Sequence, residues 1–278
     1  MKCLWLTRKY PRPVNSGELI YSDGLIRSFA ATGVSLTVIA HDNDERPVGN
    51  STNLSEQVDS DGVIWRLGSP QLGGRLGSLL TKYPSDSWRL KHGGPEEILK
   101  MALQNELWDV VVIDHAAMGW GLSVIEAYRS RSRDSNLMLV YVSHNHEARV
   151  RKEVAKKSQA KFPRNLVLQW DAEKYARQEN ALCASADLVT AITETEVEAF
   201  RAELGNQNYL CLTPGYDGKV VSDRQITEET PRRVVMSGSF EWVAKRINLE
   251  RFLEKAAVPL LEAGIELQIV GKADDVFR

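Results

Sequence analysis

The sequence predicts an α/β fold built on a parallel sheet, and three observations carry that prediction. The first 40 residues read as strand, long loop, helix and strand, the opening of a parallel α/β sheet. Short apolar runs recur further on, at Val110–Ile113 and Leu137–Val142, as expected of strands covered on both faces. The stretch Val234–Lys272 is again strand, helix and strand.

The totals narrow the class. A length of 278 residues suggests about two domains. An apolar fraction of 43% with 26% charged residues is that of a globular protein. The net charge of −2 provides no basic field for nucleic acid. No run approaches the roughly 18 apolar residues of a membrane span. The N-terminal MKCLWLTRKY is too short and too charged for a secretory signal, so a cytoplasmic setting is expected. Cys3, Cys183 and Cys211 are widely spaced in apolar stretches and read as buried free thiols. No Cys or His spacing suggests a structural metal.

Each element has its own signal. Cys3–Leu6 is a strand that enters the loop TRKYPRPVNSG. Asn15 and Ser16 are good capping types for a helix from Gly17 to Ala31. Leu25, Ile26, Phe29 and Ala30 form its apolar face, and Gly33 stops it. Ser35–Ala40 is the second strand, residues 42–62 read as a polar surface loop, and Val63–Leu67 is the third strand. Leu72, Leu76, Leu79, Leu80 and Tyr83 are spaced for an amphipathic helix, interleaved with Arg75, Lys82, Arg89, Lys91 and His92. Such a segment, residues 72–92, suits an anionic membrane surface or a lipid-linked acceptor; the plainer alternative is a helix packed on the sheet. Glu96–Glu106 is a helix with Ile98, Leu99, Ala102 and Leu103 inward. Val110–Ile113 ends at Asp114-His115. The following Gly119-x-Gly121 lacks the third glycine and the strand contact of a dinucleotide fingerprint.

Leu137–Val142 delivers Ser143-His144-Asn145-His146-Glu147-Ala148-Arg149 at its carboxyl end. Ligands of open parallel sheets bind outside the carboxyl ends of strands, so His144, Asn145 and Glu147 are candidate substrate contacts, with His115 after the preceding strand. Arg149–Lys161 is a basic solvated face. Asn165–Ala186 is a long helix with Trp170, Tyr175 and Leu182 available for packing. Asp187–Ile192 is a strand, Thr193 caps an acidic helix, and Tyr209–Leu212 is a last strand before Thr213-Pro214-Gly215-Tyr216-Asp217-Gly218. Residues 218–232 lose periodicity and read as a linker.

In the final unit, Val234–Met236 is a strand and Ser237-Gly238-Ser239 a small-residue turn, where backbone N–H groups can hold a phosphate. A helix from Ile247 to Ala263 carries Leu249, Phe252, Leu253, Ala256 and Leu260 on one stripe, and Leu267–Val270 is the second strand.

Four stretches taken in order resemble the retaining glycosyltransferases of family 4, which have the two-Rossmann-domain GT-B architecture. They are YPRPVNSG with its helix and strand; VYVSHNHEAR; ADLVTAITETEVEAFR followed by TPGYDG; and VVMSGSFEW through LQIVG. Ser16 stands where that family usually has a second glycine, and Asp217 matches an Asp often found at the interdomain crossing. The resemblance implies a Rossmann-like acceptor domain over residues 1–217, a linker at 218–232, and the truncated first βαβ unit of a nucleotide-sugar domain from 233 to 278. Glu254 and Glu262 have the spacing of the family's glutamate pair, but they fall on the wrong helix.

The resemblance implies sugar transfer from a nucleoside diphosphate sugar (UDP- or GDP-linked) to an acceptor hydroxyl with retention, in polysaccharide or glycolipid synthesis. No cofactor or metal is implied. His144 would face the transferred sugar; Ser16, Gly17, His115, Asn145 and Glu147 would meet acceptor or sugar; Gly238, Ser239 and Lys245 would meet the donor phosphates. The acceptor would be a glycan or a lipid-linked species, with peripheral contact at the inner membrane face through residues 72–92. Two alternatives stay open: a non-catalytic acceptor- or partner-binding module, and another GT-B enzyme such as a nucleotide-sugar epimerase.

Overall fold

The computed structural model describes residues 1–43, 55–70, 73–131, 136–158, 161–205, 208–216, 218–223, 226–240 and 243–273. Leu72 and Asp217, both singled out above, lie outside these. The chain divides into two compact units, Met1–Gly215 and Tyr216–Arg278.

The first unit begins with β1 (Lys2–Lys9), α1 (Gly17–Ala30), β2 (Ser35–His41), β3 (Ser55–Val58) and β4 (Ile64–Gly68). Then come a 3-10 turn over Arg75–Leu80, α2 (Ser85–Lys91), α3 (Pro95–Asn105), β5 (Val110–Asp114) and a second 3-10 turn, Ala116–Gly121. It closes with α4 (Leu122–Arg131), β6 (Met138–Val142), α5 (Glu147–Lys157), α6 (Arg164–Ser185), β7 (Leu188–Ala191), α7 (Glu194–Leu204) and β8 (Tyr209–Cys211). The sheet order is β3-β4-β2-β1-β5-β6-β7-β8, parallel throughout except for the antiparallel edge strand β3. Strand alternation feeds two cores. Leu4 and Leu6 of β1 join one with Val111 and Ile113 of β5, while Cys3 and Trp5 join the other with Val110 and Val112. Chain order leaves in opposite directions from β1 and β5, so those neighbours mark the topological switch, where open sheets leave a crevice at their carboxyl ends.

Several expectations are corrected. The stretch expected as one amphipathic helix is, over its described residues, a 3-10 turn that ends at Leu80, followed by the short α2, with Pro84 in extended backbone at the N-cap position keeping the two apart. The polar loop expected over 42–62 contains β3, whose Glu56 pairs with Arg66 on β4. Helix α1 buries Leu19, Ser22, Asp23 and Ile26, with Leu25 and Phe29 only partly covered. The polar Ser22 and Asp23 move inward because both find partners there: Asp23 accepts from Arg12, and Ser22 bonds to Asp114. Trp170 of α6 is half-exposed while Tyr175 and Leu182 are buried. Cys211 is only partly covered. Helix α4 had no strong signal, since it buries only Leu122 and Ile125. The glycines of the Gly119-x-Gly121 pattern serve packing. A side chain on Gly119 would meet Gln178 at 2.8 Å, and one on Gly121 would meet Leu6 at 2.8 Å.

The second unit contains β9 (Arg233–Ser239), α8 (Val243–Glu262) and β10 (Glu266–Lys272), with β9 and β10 parallel. Ser237, Gly238 and Ser239, expected to turn, continue β9 because they pair with Val270, Gly271 and Lys272. Leu249 of the α8 stripe is buried, and Phe252, Leu253, Ala256 and Leu260 are partly so. Gly271 sits at φ +149, and a β-carbon there would overlap the carbonyl oxygen of Gly238. Gly271→Ala is expected to loosen β9–β10 pairing by about 1–3 kcal/mol. Hydrogen exchange should show faster exchange over residues 233–272; unchanged protection would contradict it.

Candidate functional site

Polar groups converge where β1, β5 and β6 end. β1 supplies Trp5 and Arg8, β5 ends in Asp114 and is followed by His115, and β6 is followed by Ser143 and His144. A buried carboxylate–imidazole pair holds the centre. His144 Nε2 lies 2.5 Å from Asp114 Oδ1, and Trp5 Nε1 donates to Asp114 Oδ2 at 3.1 Å. Burial opposes the Asp114 charge, but the charge of His144 and the bonds from His144, Ser22 and Trp5 prevail and hold the carboxyl below its ordinary value. Burial likewise opposes the His144 cation, and the Asp114 charge outweighs it, so His144 is raised. With Nε2 committed to Asp114, Nδ1 is the ring atom left for a ligand. Tyr21 packs edge-on against His144 with ring centroids 5.1 Å apart, and its hydroxyl donates to the Leu212 carbonyl.

His115 has φ +82, the one positive φ among the described non-glycine residues. Strain of that kind concentrates at functional sites. Its Nδ1 accepts from the Ala117 N–H at 2.9 Å, which places the proton on Nε2, 3.6 Å from Glu147 Oε1. Burial pushes the Glu147 carboxyl up, but His115 and Arg151 bring it down to about 2. Arg151 Nε donates to Glu147 at 3.0 Å, and its terminal nitrogen reaches Asp86 at 3.0 Å. Tyr175 donates to the same Asp86 oxygen and lies under the Arg151 guanidinium. Arg8 makes a two-pronged contact with Glu18, at 2.8 and 2.7 Å. Its buried Nε has no partner among the described residues, a donor left over for a bound group.

The start of α5 is fixed from behind. The fully buried Glu179 accepts from the Glu147 and Ala148 N–H groups and from the Tyr141 hydroxyl. A carboxylate at a helix N-terminus is favoured by the helix dipole. His146 stacks on Phe200 and lies 3.4 Å from Glu179 and 3.1 Å from Glu203, without hydrogen-bond geometry to either.

The expected site residues therefore separate. His144, His115 and Glu147 come together at the strand ends. Glu147 is buried there, with Arg151 donating to one of its oxygens and His115 Nε2 3.6 Å from the other. Asn145 is exposed next to it, 3.5 Å from Glu147 Oε1. Ser16 caps α1 by accepting from Leu19 N–H, and Gly17 opens that helix with free space around its Cα. In the second unit, Gly238 and Ser239 end β9, and Lys245 in the first turn of α8 comes within 3.7 Å of where a Gly238 β-carbon would sit. The sequence reading missed Asp114, Arg8, Glu18, Asp86, Arg151 and Tyr175. Of these only Asp114 had a signal, as the polar end of a wholly apolar strand. No group of His, Cys, Asp and Glu among the described residues is arranged to hold a metal ion, and no described helix is long and apolar enough to cross a membrane.

No protein-family model matches the sequence, and no curated protein matches it. Solved structures do resemble it. UGT71G1 of Medicago truncatula, complexed with UDP-glucose, matches with a TM-score of 0.56 at 9% identity, over 99% of this chain and 67% of that one. The catalytic domain of starch synthase IV from Arabidopsis thaliana, bound to ADP and acarbose, matches with a TM-score of 0.53 at 11% identity, over 99% of this chain and 69% of that one. At these identities the likeness is one of fold: the chain has the Rossmann-like α/β arrangement of the GT-B type.

Proposed function

We propose that this protein is a glycosyltransferase that moves a sugar from a nucleoside diphosphate sugar to an acceptor hydroxyl. The observation that carries this reading is the buried Asp114–His144 pair at the carboxyl ends of β5 and β6, beside the topological switch of a GT-B-type sheet. The similar structures are complexed with UDP-glucose in one case and with ADP and acarbose in the other. The finer points of the reading are retention of configuration, a UDP- or GDP-linked donor, and a role in polysaccharide or glycolipid synthesis in the cytoplasm.

The barrier to sugar transfer lies in separating the diphosphate while an oxocarbenium-like centre forms. Placement and charge stabilisation are what such a site supplies. His144, whose cationic form Asp114 favours, would in that form donate through Nδ1 to the transferred sugar or its leaving oxygen. Arg8 would offer its unpartnered Nε to the same region. His115 and Glu147 would keep the acceptor side ordered, with Asn145 as the exposed amide. In the second unit Gly238, Ser239 and Lys245 are proposed to meet the donor phosphates. The reading calls for no cofactor or metal.

The experiment is acceptor-dependent release of nucleoside diphosphate, with product analysis for anomeric configuration. A companion variant tests the α1 entry. Gly17 is exposed with room for a side chain, so Gly17→Val is expected to fold normally, with a stability change within about 0.5 kcal/mol. It should lower kcat/KM about tenfold or more by crowding the ligand's approach. Wild-type turnover would reduce that glycine to a structural part of the loop.

A further inference from the structure

A groove of about 330 Å³ opens between the 3-10 turn Arg75–Leu80 and the first turns of α6, at the lower end of the roughly 300–1,000 Å³ of small-molecule sites. Leu76, Leu79, Val167 and Trp170 make its wall mainly apolar. Leu76 is 80% exposed and Trp170 43%, so hydrocarbon faces water here, with Lys174 Nζ set over the Trp170 ring at 4.0 Å. The charged groups of the groove divide in two. Arg151 is paired with Asp86, Lys174 Nζ donates to the Ser78 carbonyl, and Asp171 accepts from the Ser85 N–H. Arg75 and Arg164 also line the groove, and neither guanidinium has an ion-pair or hydrogen-bond partner among the described residues. Two uncommitted guanidinium groups beside an apolar wall are complementary to one kind of molecule, an anionic head on a hydrocarbon chain. Guanidinium groups favour phosphate in particular, through paired N–H donors.

The groove is also continuous with the polar site. The Asp86–Arg151 pair lines it, and Arg151 reaches on to Glu147, which faces His115. We propose that the groove binds a lipid phosphate, its chain on Leu76, Leu79, Val167 and Trp170 and its phosphate between Arg75 and Arg164, and that the sugar acceptor belongs to this class. The assignment of the occupant as acceptor rests on the transferase reading; the binding itself does not.

The test is calorimetric titration of the full chain with dodecyl phosphate below its micelle-forming concentration, beside inorganic phosphate and neutral dodecyl maltoside. Dodecyl phosphate is expected to bind with one-to-one stoichiometry and at least tenfold more tightly than either control. Arg75→Glu with Arg164→Glu should weaken it at least tenfold, as should Val167→Asp, while the double Lys variant restores most of the affinity. All of these positions are exposed, and circular dichroism checks that the variants fold. Equal binding of inorganic phosphate would overturn the inference in favour of a plain anion site. Binding only to phosphatidylglycerol vesicles, with no monomer bound, would overturn it in favour of a membrane-facing surface. Variants that bind like wild type would also overturn it. Transfer to a soluble glycan with no dodecyl phosphate bound would end this inference and leave the transferase reading intact. Binding with no transfer from any donor would uphold the groove and end the reading of its occupant as acceptor.

Discussion

Asp114→Ala is expected to destabilise the first unit by about 3–5 kcal/mol, the cost of leaving one member of a buried ion pair uncompensated. His144 is 5% exposed and Asp114 fully buried, and the variant also strands the Trp5 indole N–H. The effect has a defined pH dependence. Asp114 is lowered in the folded state, so its contribution is present above its ordinary value of 3.8 and is lost as pH falls through the lower folded value. His144 is raised, so its contribution is complete below its ordinary value of 6.5 and is lost as pH rises through the higher folded value. The gap between wild type and variant should therefore be widest from about pH 4 to 6.5 and shrink as pH rises through the raised folded value of His144. Urea unfolding at pH 5, 7 and 9 measures it. A gap that widens with pH would show that the pair is not an ion pair.

The second large effect is on turnover. His144→Gln keeps an N–H donor for Asp114 and so spares much of the fold, but it removes the cation and the Nδ1 donor. A drop of about 10²–10³-fold in kcat is expected, the scale of losing one donor to a developing charge, with KM changing far less. Undiminished kcat in a folded variant would remove His144 from the site. A rise in KM alone would make it a contact for substrate binding only.

Much of the fold was legible because periodicity carries it. The runs Val110–Ile113 and Leu137–Val142 admit little but buried strands, and Ile98, Leu99, Ala102 and Leu103 turned inward as their spacing required. What failed was local. Ser237-Gly238-Ser239 looks like a turn until Val270, Gly271 and Lys272 pair with it, and residues 72–83 have helical spacing that Pro84 and a 3-10 turn override. Half of the candidate site was legible for a related reason: His115, His144 and Glu147 follow apolar strands closely. The other half is assembled from distant stretches. Arg151 finds Asp86 across 65 residues and Tyr175 finds Asp86 across 89, so no spacing rule marks them. Glu179 reads as a solvated helix residue, yet it is fully buried because the N–H groups of α5 and Tyr141 surround it.

The most direct test of the central claim is the release of nucleoside diphosphate by the natural protein, given UDP- and GDP-sugars with and without lipid-phosphate and glycan acceptors. Release that requires acceptor, and that falls with His144→Gln, is the predicted result. Acceptor binding with no release from any donor would contradict the claim and make the protein a binding module.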